Sequence, residues 1–183
     1  MARKIIFLVV LGLCNTLFKG TRFFGVKRSL LNMIGITVGV GSKVVGPLTI
    51  SSEASLAIGS NCWIGTNLRI HGNGKIAIGD NNAFAPDITI ITGSHLMGDS
   101  SQRAGKGIHW DYTIGDGNWI GAKSTLSNGV KIENGVMIGA CSLVTKNCES
   151  DGLYVGLPAK RVRDLPYDRE KTLSNNDLPI KLT

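Results

Sequence analysis

The sequence predicts an all-β chain whose middle, residues 38–156, winds as a parallel β-helix of six-residue units. Three observations predict it. Aliphatic residues recur every six positions, a small residue usually follows each, and glycine reaches 24 of 183 residues without a Gly-X-Y period. The six-residue step runs through Val38, Val44, Ile50 and Leu56, then Ile58, Ile64, Ile70 and Ile76, then Ile78, Phe84 and Ile90. It resumes at Ile114, Ile120, Leu126, Ile132, Ile138 and Val144. With 43% of the chain hydrophobic, 17 apolar positions in a fixed register arise by chance on the order of once in a million.

The pairing of large and small has a physical cause. A six-residue unit supplies a short strand and a corner. The aliphatic side chain points inward and stacks on its equivalent one coil away. The small residue after it, as at Gly59, Gly65, Gly79, Gly115, Gly121 and Gly139, lets the backbone turn sharply. Three units close one coil, and coils stack as in any solenoid. Glycine and β-branched residues at this density disfavour helix.

Ahead of the repeat, residues 1–33 read as an apolar and basic helical segment. Arg3 and Lys4 precede an apolar run over residues 5–13, too short to span a bilayer. The run resembles the charged and apolar parts of a signal peptide, but no small-x-small cleavage site follows. Two readings stay open: a helix packed on the end of the core, and an interfacial helix presenting Lys19, Arg22, Lys27 and Arg28 to anionic headgroups.

The β-helix domain is expected over 34–157. Its register slips by two residues at Leu56→Ile58 and at Ile76→Ile78, giving 20-residue coils with corners enlarged near residues 55–57 and 74–77. Residues 92–113, TGSHLMGDSSQRAGKGIHWDYT, interrupt the step. Keeping register would bury Gln102 beside Asp99, Ser100, Ser101 and Arg103, so the stretch is expected to leave the coil as a protruding loop. Pro158 ends the pattern. The last segment, 158–183, is expected to hold a short helix at 159–165 and a polar, poorly ordered tail.

Lys and Arg total 20 against 13 acidic residues, a net charge of +7, and the basic residues cluster toward the two ends, Arg3, Lys4, Lys19, Arg22, Lys27 and Arg28 at one and Lys160, Arg161 and Arg163 at the other. No zinc-finger, RNA-recognition or helix-turn-helix pattern accompanies it. A phosphate-bearing ligand or a membrane surface is expected ahead of nucleic acid. The four cysteines, Cys14, Cys62, Cys141 and Cys148, form no C-x-x-C pair, which suits reduced thiols in the cytoplasm. Cys62 and Cys141 lie inside the repeats and are expected to pack there.

The segment IGDGNWIGAKSTLSNGVKIENGVMIGACSLVTKN, followed by VGLPAKRVR, resembles the hexapeptide-repeat acetyltransferases. It is most similar to the galactoside, maltose and nodulation-factor enzymes and the polysaccharide O-acetyltransferases. Trp-Ile-Gly at 119–121, Gly-Ala at 139–140, Val-Thr-Lys at 144–146 and Gly-x-Pro-Ala at 156–159 carry the likeness. The resemblance implies a left-handed β-helix, a homotrimer, and acetyl-CoA bound between neighbouring subunits without a metal. It implies a catalytic histidine on the protruding loop, where His95 stands. It implies CoA contacts at Ala122, Ala140, Thr145, Lys146, Lys160 and Arg163, with Trp119 walling the cleft. It departs at Gly65, where many sugar acetyltransferases carry an acceptor-holding Asn, and at Leu96, where the usual residue is Pro. Asn67, Asp87 and His109 are the acceptor-side candidates. Asp87 and Asp99 are also candidates to orient His95.

A neutral imidazole can take the proton of a sugar hydroxyl as it attacks a thioester, because its pKa lies near the operating pH. No Ser or Cys nucleophile is needed, so direct transfer in a ternary complex is expected, with a polysaccharide or lipid-linked glycan as acceptor. Such an enzyme would be cytoplasmic, with peripheral membrane contact through residues 5–28 at the inner face. A small sugar or an amine such as an antibiotic is the alternative acceptor. Two other functions share the scaffold. A zinc lyase of the carbonic anhydrase type needs a closely spaced imidazole pair, which His71, His95 and His109 do not offer. The paired signals at 144–146 and 156–163 argue against a non-catalytic scaffold or assembly module.

Overall fold

The computed structural model describes residues 2–167, so most of the expected polar tail lies outside the described residues. Two helices come first, α1 (Ala2–Thr16) and α2 (Phe24–Met33). The first coil holds β1 (Thr37–Val38), β2 (Lys43–Val44) and β3 (Leu48–Thr49). The second holds β4 (Ser55–Ile58), β5 (Trp63–Ile64) and β6 (Leu68–His71), the third β7 (Lys75–Ile78), β8 (Ala83–Phe84) and β9 (Thr89–Ile91). A hairpin, β10 (Gly93–Met97) and β11 (Ala104–His109), then departs from the coil. The fourth coil holds β12 (Tyr112–Ile114), β13 (Trp119–Ile120) and β14 (Thr125–Leu126), the fifth β15 (Lys131–Ile132), β16 (Met137–Ile138) and β17 (Leu143–Val144). β18 (Gly152–Gly156) and β19 (Ala159–Asp164) close the chain.

Three sheets result, each built of parallel strands one coil apart. The first is β1-β4-β7-β12-β15, the second β2-β5-β8-β13-β16-β18 with β19 antiparallel at its edge, and the third β3-β6-β9-β14-β17. This is the all-β stacked-coil architecture of the left-handed β-helix. Every one of the 17 positions of the six-residue step points inward, none more than 6% exposed. Each fully buried Ile or Leu contributes roughly 2 kcal/mol by leaving water.

The corners are not equivalent. From the first sheet to the second, and from the second to the third, the step is six in each coil, as in Ile78 to Phe84 to Ile90. All length variation falls between the third sheet and the first. The first-sheet partners Val38, Ile58, Ile78, Ile114 and Ile132 are spaced 20, 20, 36 and 18 residues apart. Of the expected corners at 55–57 and 74–77, only Gly74 lies in a turn; 55–57 and 75–77 lie within β4 and β7. The extra residues form turns at 51–54 and 72–74 and lengthen those strands. The hairpin leaves from this same variable corner.

The open end of the first coil is capped edge by edge. Asn15, at the end of α1, accepts from Leu48 N and donates to Leu48 O, each at 2.8 Å. Asn32, in α2, accepts from Val38 N at 2.7 Å and donates to Val38 O at 3.3 Å. Val45 O, on the remaining sheet, accepts from Gly20 N at 2.9 Å and from the buried Lys27 ammonium at 3.2 Å. Lys27 also lies 4.6 Å from the Phe24 ring centroid, and burial lowers its pKa. Carboxamides thus stand in for the missing strand and blunt edges that would otherwise recruit another chain. Asn15→Ala is expected to cost about 2 kcal/mol, because both backbone groups of Leu48 lose their partner. Urea denaturation reads this, and an unchanged midpoint would show that water replaces the amide.

At the far end the structure corrects the expected helix at 159–165. Gly156, at φ 107°, reverses the chain, and Ala159–Asp164 pairs back onto β18 as a strand. Arg161 fixes it by donating to the carbonyls of Glu149, Ser150 and Asp151 and to the Tyr154 hydroxyl, at 3.1–3.2 Å. Helix propensity loses here to an edge strand that needs a partner.

Candidate active site

The protruding loop is an ordered hairpin, anchored by Trp110, whose N–H donates to Thr92 O at 2.7 Å. Its register pairs Gly93 with His109 and His95 with Gly107. These four residues therefore share one hairpin face, and the two imidazoles are diagonal neighbours, with Cα atoms about 7–8 Å apart. The glycines between them leave room: around Gly107 there is open space where a side chain would project.

His95 is exposed, and its Nδ1 lies 2.8 Å from the carbonyl oxygen of Gly105. A carbonyl only accepts, so Nδ1 carries the proton in the neutral ring. Nε2 is left with the lone pair. The contact selects the tautomer a general base requires and orients the ring. Neither candidate carboxylate does this. Asp99 accepts from Ser101 N, Ser101 Oγ and Gln102 N at the hairpin tip, and these bonds lower its pKa. Asp87 Oδ1 accepts from Asn67 Nδ2 at 3.0 Å and pairs with Arg69 at 3.5 Å. The backbone of Gly105 was illegible as the partner, because carbonyl positions leave no trace in residue identity. His71 likewise acts through its backbone, its O accepting from Thr92 N and Oγ1, while its imidazole is exposed.

The other candidates divide between two edges. One column runs along the corner between the second and third sheets. There Asn67, Asp87, Lys123 and Cys141 take equivalent left-handed conformations, φ 58–64°. They are laced by Asp87 N to Thr66 O, Lys123 N to Pro86 O and Cys141 N to Ala122 O, at 2.8–3.0 Å. Ala122 and Ala140 belong to this column, and the turn at 156–158 caps it. Lys160 and Arg163 are exposed on β19, just past that turn. Trp119, half exposed, stands on the outer face of the second sheet, separated from Trp63 by Ala83. The second edge is the variable corner, where Thr145 and Lys146 follow β17 and where His95 and His109 depart. The third sheet separates the edges, up to about 20 Å for the six residues from Asp87 to Gly93 if extended.

Two residues read differently in the structure. Cys141 does not pack inside: it occupies the corner, exposed, while Cys14, Cys62 and Cys148 are buried. Burial pushes the Cys148 thiol up to about 11. Gly65 is closed in, since a Cβ there would lie 2.7 Å from Phe84 O. An asparagine at this position would have to displace the next coil, and Asn67 has its amide committed to Asp87.

Comparison with known proteins agrees with this architecture. A family model described as bacterial transferase hexapeptide (six repeats) matches residues 111–146. The galactoside O-acetyltransferase of Escherichia coli K12 is 31% identical over 155 residues, covering 85% of this chain and 76% of the relative. A solved galactoside acetyltransferase in complex with coenzyme A superposes with a TM-score of 0.72 at 26% identity, covering 93% of this chain and 84% of that one. A polySia-specific acetyltransferase superposes at 0.61 with 26% identity, covering 70% and 61%. The stacked six-residue coils, the hairpin bearing His95 and a relative alike over most of both chains lead to one conclusion: this chain belongs to the hexapeptide-repeat acetyltransferases, in the family of galactoside O-acetyltransferase.

Proposed function

We propose that the chain transfers the acetyl group of acetyl-CoA to a hydroxyl of a polysaccharide or lipid-linked glycan, with His95 as general base. The observation that carries this reading is the Nδ1–H to Gly105 O contact, which leaves Nε2 free to accept a proton. Nε2 takes the hydroxyl proton as the oxygen attacks the thioester carbonyl. The tetrahedral oxyanion collapses, the C–S bond breaks, and Nε2–H returns the proton to the departing CoA sulfur. No acyl-enzyme forms. The products are the acetyl ester and free CoA.

CoA lies along the column at Ala122 and Ala140, where corner backbone meets its amides, with Trp119 as a wall. Lys160 and Arg163 meet its phosphates at one end, Thr145 and Lys146 at the other edge. Those edges join in a homotrimer, where the hairpin of one subunit faces the column of the next. His109 sits beside His95 on the acceptor side, with Asn67 and Asp87 in reach from the column. The polySia-specific relative supports a polymeric glycan, and the galactoside relatives make a small sugar the second reading. The enzyme works in the cytoplasm, on acceptors made at the inner face of the membrane.

Cys141 offers a direct test, because it sits beside Ala140 on the proposed CoA path. Without ligand, a thiol reagent at pH 8 is expected to label one cysteine per native chain, since the other three are buried. Saturating acetyl-CoA is expected to slow that labelling at least ten-fold. Unchanged labelling would remove CoA from this corner. Release of CoA with polymeric glycans, compared with small galactosides and amines, then decides the acceptor.

A further inference from the structure

No described residue covers the outward face of α1. Phe7, Val10, Leu11 and Cys14 anchor the helix to the solenoid. On the opposite side Ile5, Ile6, Leu8 and Val9 are each more than half exposed, followed by Leu13 at 40% and Leu17 at 69%. A helix apolar on both faces needs a second apolar phase. At 15 residues it is about 22 Å long, and no helix among the described residues is long and apolar enough to cross a bilayer.

Charge says what that phase is. Residues 1–52 contain seven basic side chains, Arg3, Lys4, Lys19, Arg22, Lys27, Arg28 and Lys43, and no Asp or Glu. The rest of the chain holds 20 − 7 = 13 basic residues against 13 acidic, so the entire +7 resides in this capping segment. Arg3, Lys19, Arg22 and Arg28 have no acidic partner among the described residues. The first turn of α1 carries Arg3 and Lys4 and no acid, the reverse of what the helix dipole favours. An external anion would offset it. Beside that turn opens a cleft of about 690 Å³, lined by Arg3, Lys4, Phe7, Met33 and Glu53; Glu53 pairs with Lys4 at 3.4 Å and leaves Arg3 as the cation without an acidic partner there.

We propose that the α1 face is a docking surface for an anionic lipid bilayer, with α1 lying in the interface plane and Arg3, Lys19, Arg22 and Arg28 meeting headgroup phosphates. Asn15 and the buried Phe7, Val10, Leu11 and Cys14 hold α1 on the first coil, so the bilayer meets the end of the solenoid remote from the turn at 156–158. The proposal stands apart from the chemistry, because none of these residues belongs to the acyl-transfer site.

The test is co-sedimentation of the full-length protein with vesicles of pure phosphatidylcholine and of phosphatidylcholine with 30% phosphatidylglycerol. Binding is expected on the anionic vesicles and is expected to fall at 0.5 M salt. The double variant I5D/V9D removes aliphatic contact at exposed sites and should abolish binding while leaving the thermal midpoint and CoA release on a soluble acceptor unchanged. K19E/R22E should lower anionic-vesicle binding by at least about 25-fold, from roughly five-fold per basic residue lost. Equal sedimentation of wild type and I5D/V9D would overturn the proposal. So would a change in molecular mass of I5D/V9D in solution, which would show another copy of the chain covering this face. Retained vesicle binding in a protein that releases no CoA would defeat the enzymatic reading alone.

Discussion

His95→Ala is expected to lower turnover by about 10²- to 10⁴-fold, the range that general-base catalysis supplies. The effect should fall on kcat rather than on the affinity for acetyl-CoA. His95 sits on the hairpin, whereas Ala122, Ala140 and Lys160 lie along the corner and its capping strand. His95→Gln should not rescue, since a carboxamide can donate and accept but cannot take the hydroxyl proton at neutral pH. Steady-state release of CoA with varied acetyl-CoA separates the two parameters. Undiminished turnover in His95→Ala would end the assignment, and His109, on the same hairpin face, would be the next residue to replace.

A comparable loss is expected from a residue that touches no substrate. Gly74 lies in the turn at 72–74, beneath the root of the hairpin, and a Cβ there would collide with the carbonyl oxygen of Trp110. That contact is backbone, so no flexible side chain can swing aside. Gly74→Ala must push Trp110 outward and carry β11 with it. Displacing a general base by about 1 Å costs on the order of 10²-fold. We therefore expect kcat to fall about 10²-fold and stability by about 1–3 kcal/mol, from overpacking. Protection of Cys141 by acetyl-CoA should survive, because the corner column lies on the other side of the third sheet. Full activity with a normal melting temperature would mean the hairpin root yields without moving His95.

The scaffold was legible because a solenoid repeats its physical demand. Each coil asks for one inward aliphatic residue per side, and all 17 positions of the step answer. The variable corner was legible only as a slip in register, and its turns begin two to four residues before the predicted positions, because the extra residues could join either turn or strand. Ala159–Asp164 misled for a different reason. Its strand conformation is imposed by the β18 edge and the Arg161 bonds, neither visible in local composition. Cys141 resembled a packed repeat residue, but its left-handed φ of 58° turns the side chain outward. In the candidate site, hydrogen-bond partners left no mark in the sequence. The sequence offered Asp87 and Asp99 to orient His95, and the structure used a glycine carbonyl.

The variable corner has an evolutionary consequence. The register Ala77↔Thr113 closes across the hairpin as cleanly as Ala57↔Ala77 closes across an ordinary turn. The coils below and above the hairpin therefore do not sense its length. Mutations that lengthen, shorten or reshape β10 and β11 leave the stacked interior intact, provided Gly74 and Trp110 keep their fit. The hairpin is a cassette: its sequence can drift at little thermodynamic cost, while the corner column, where we propose that CoA binds, stays under the constraint of the six-residue step.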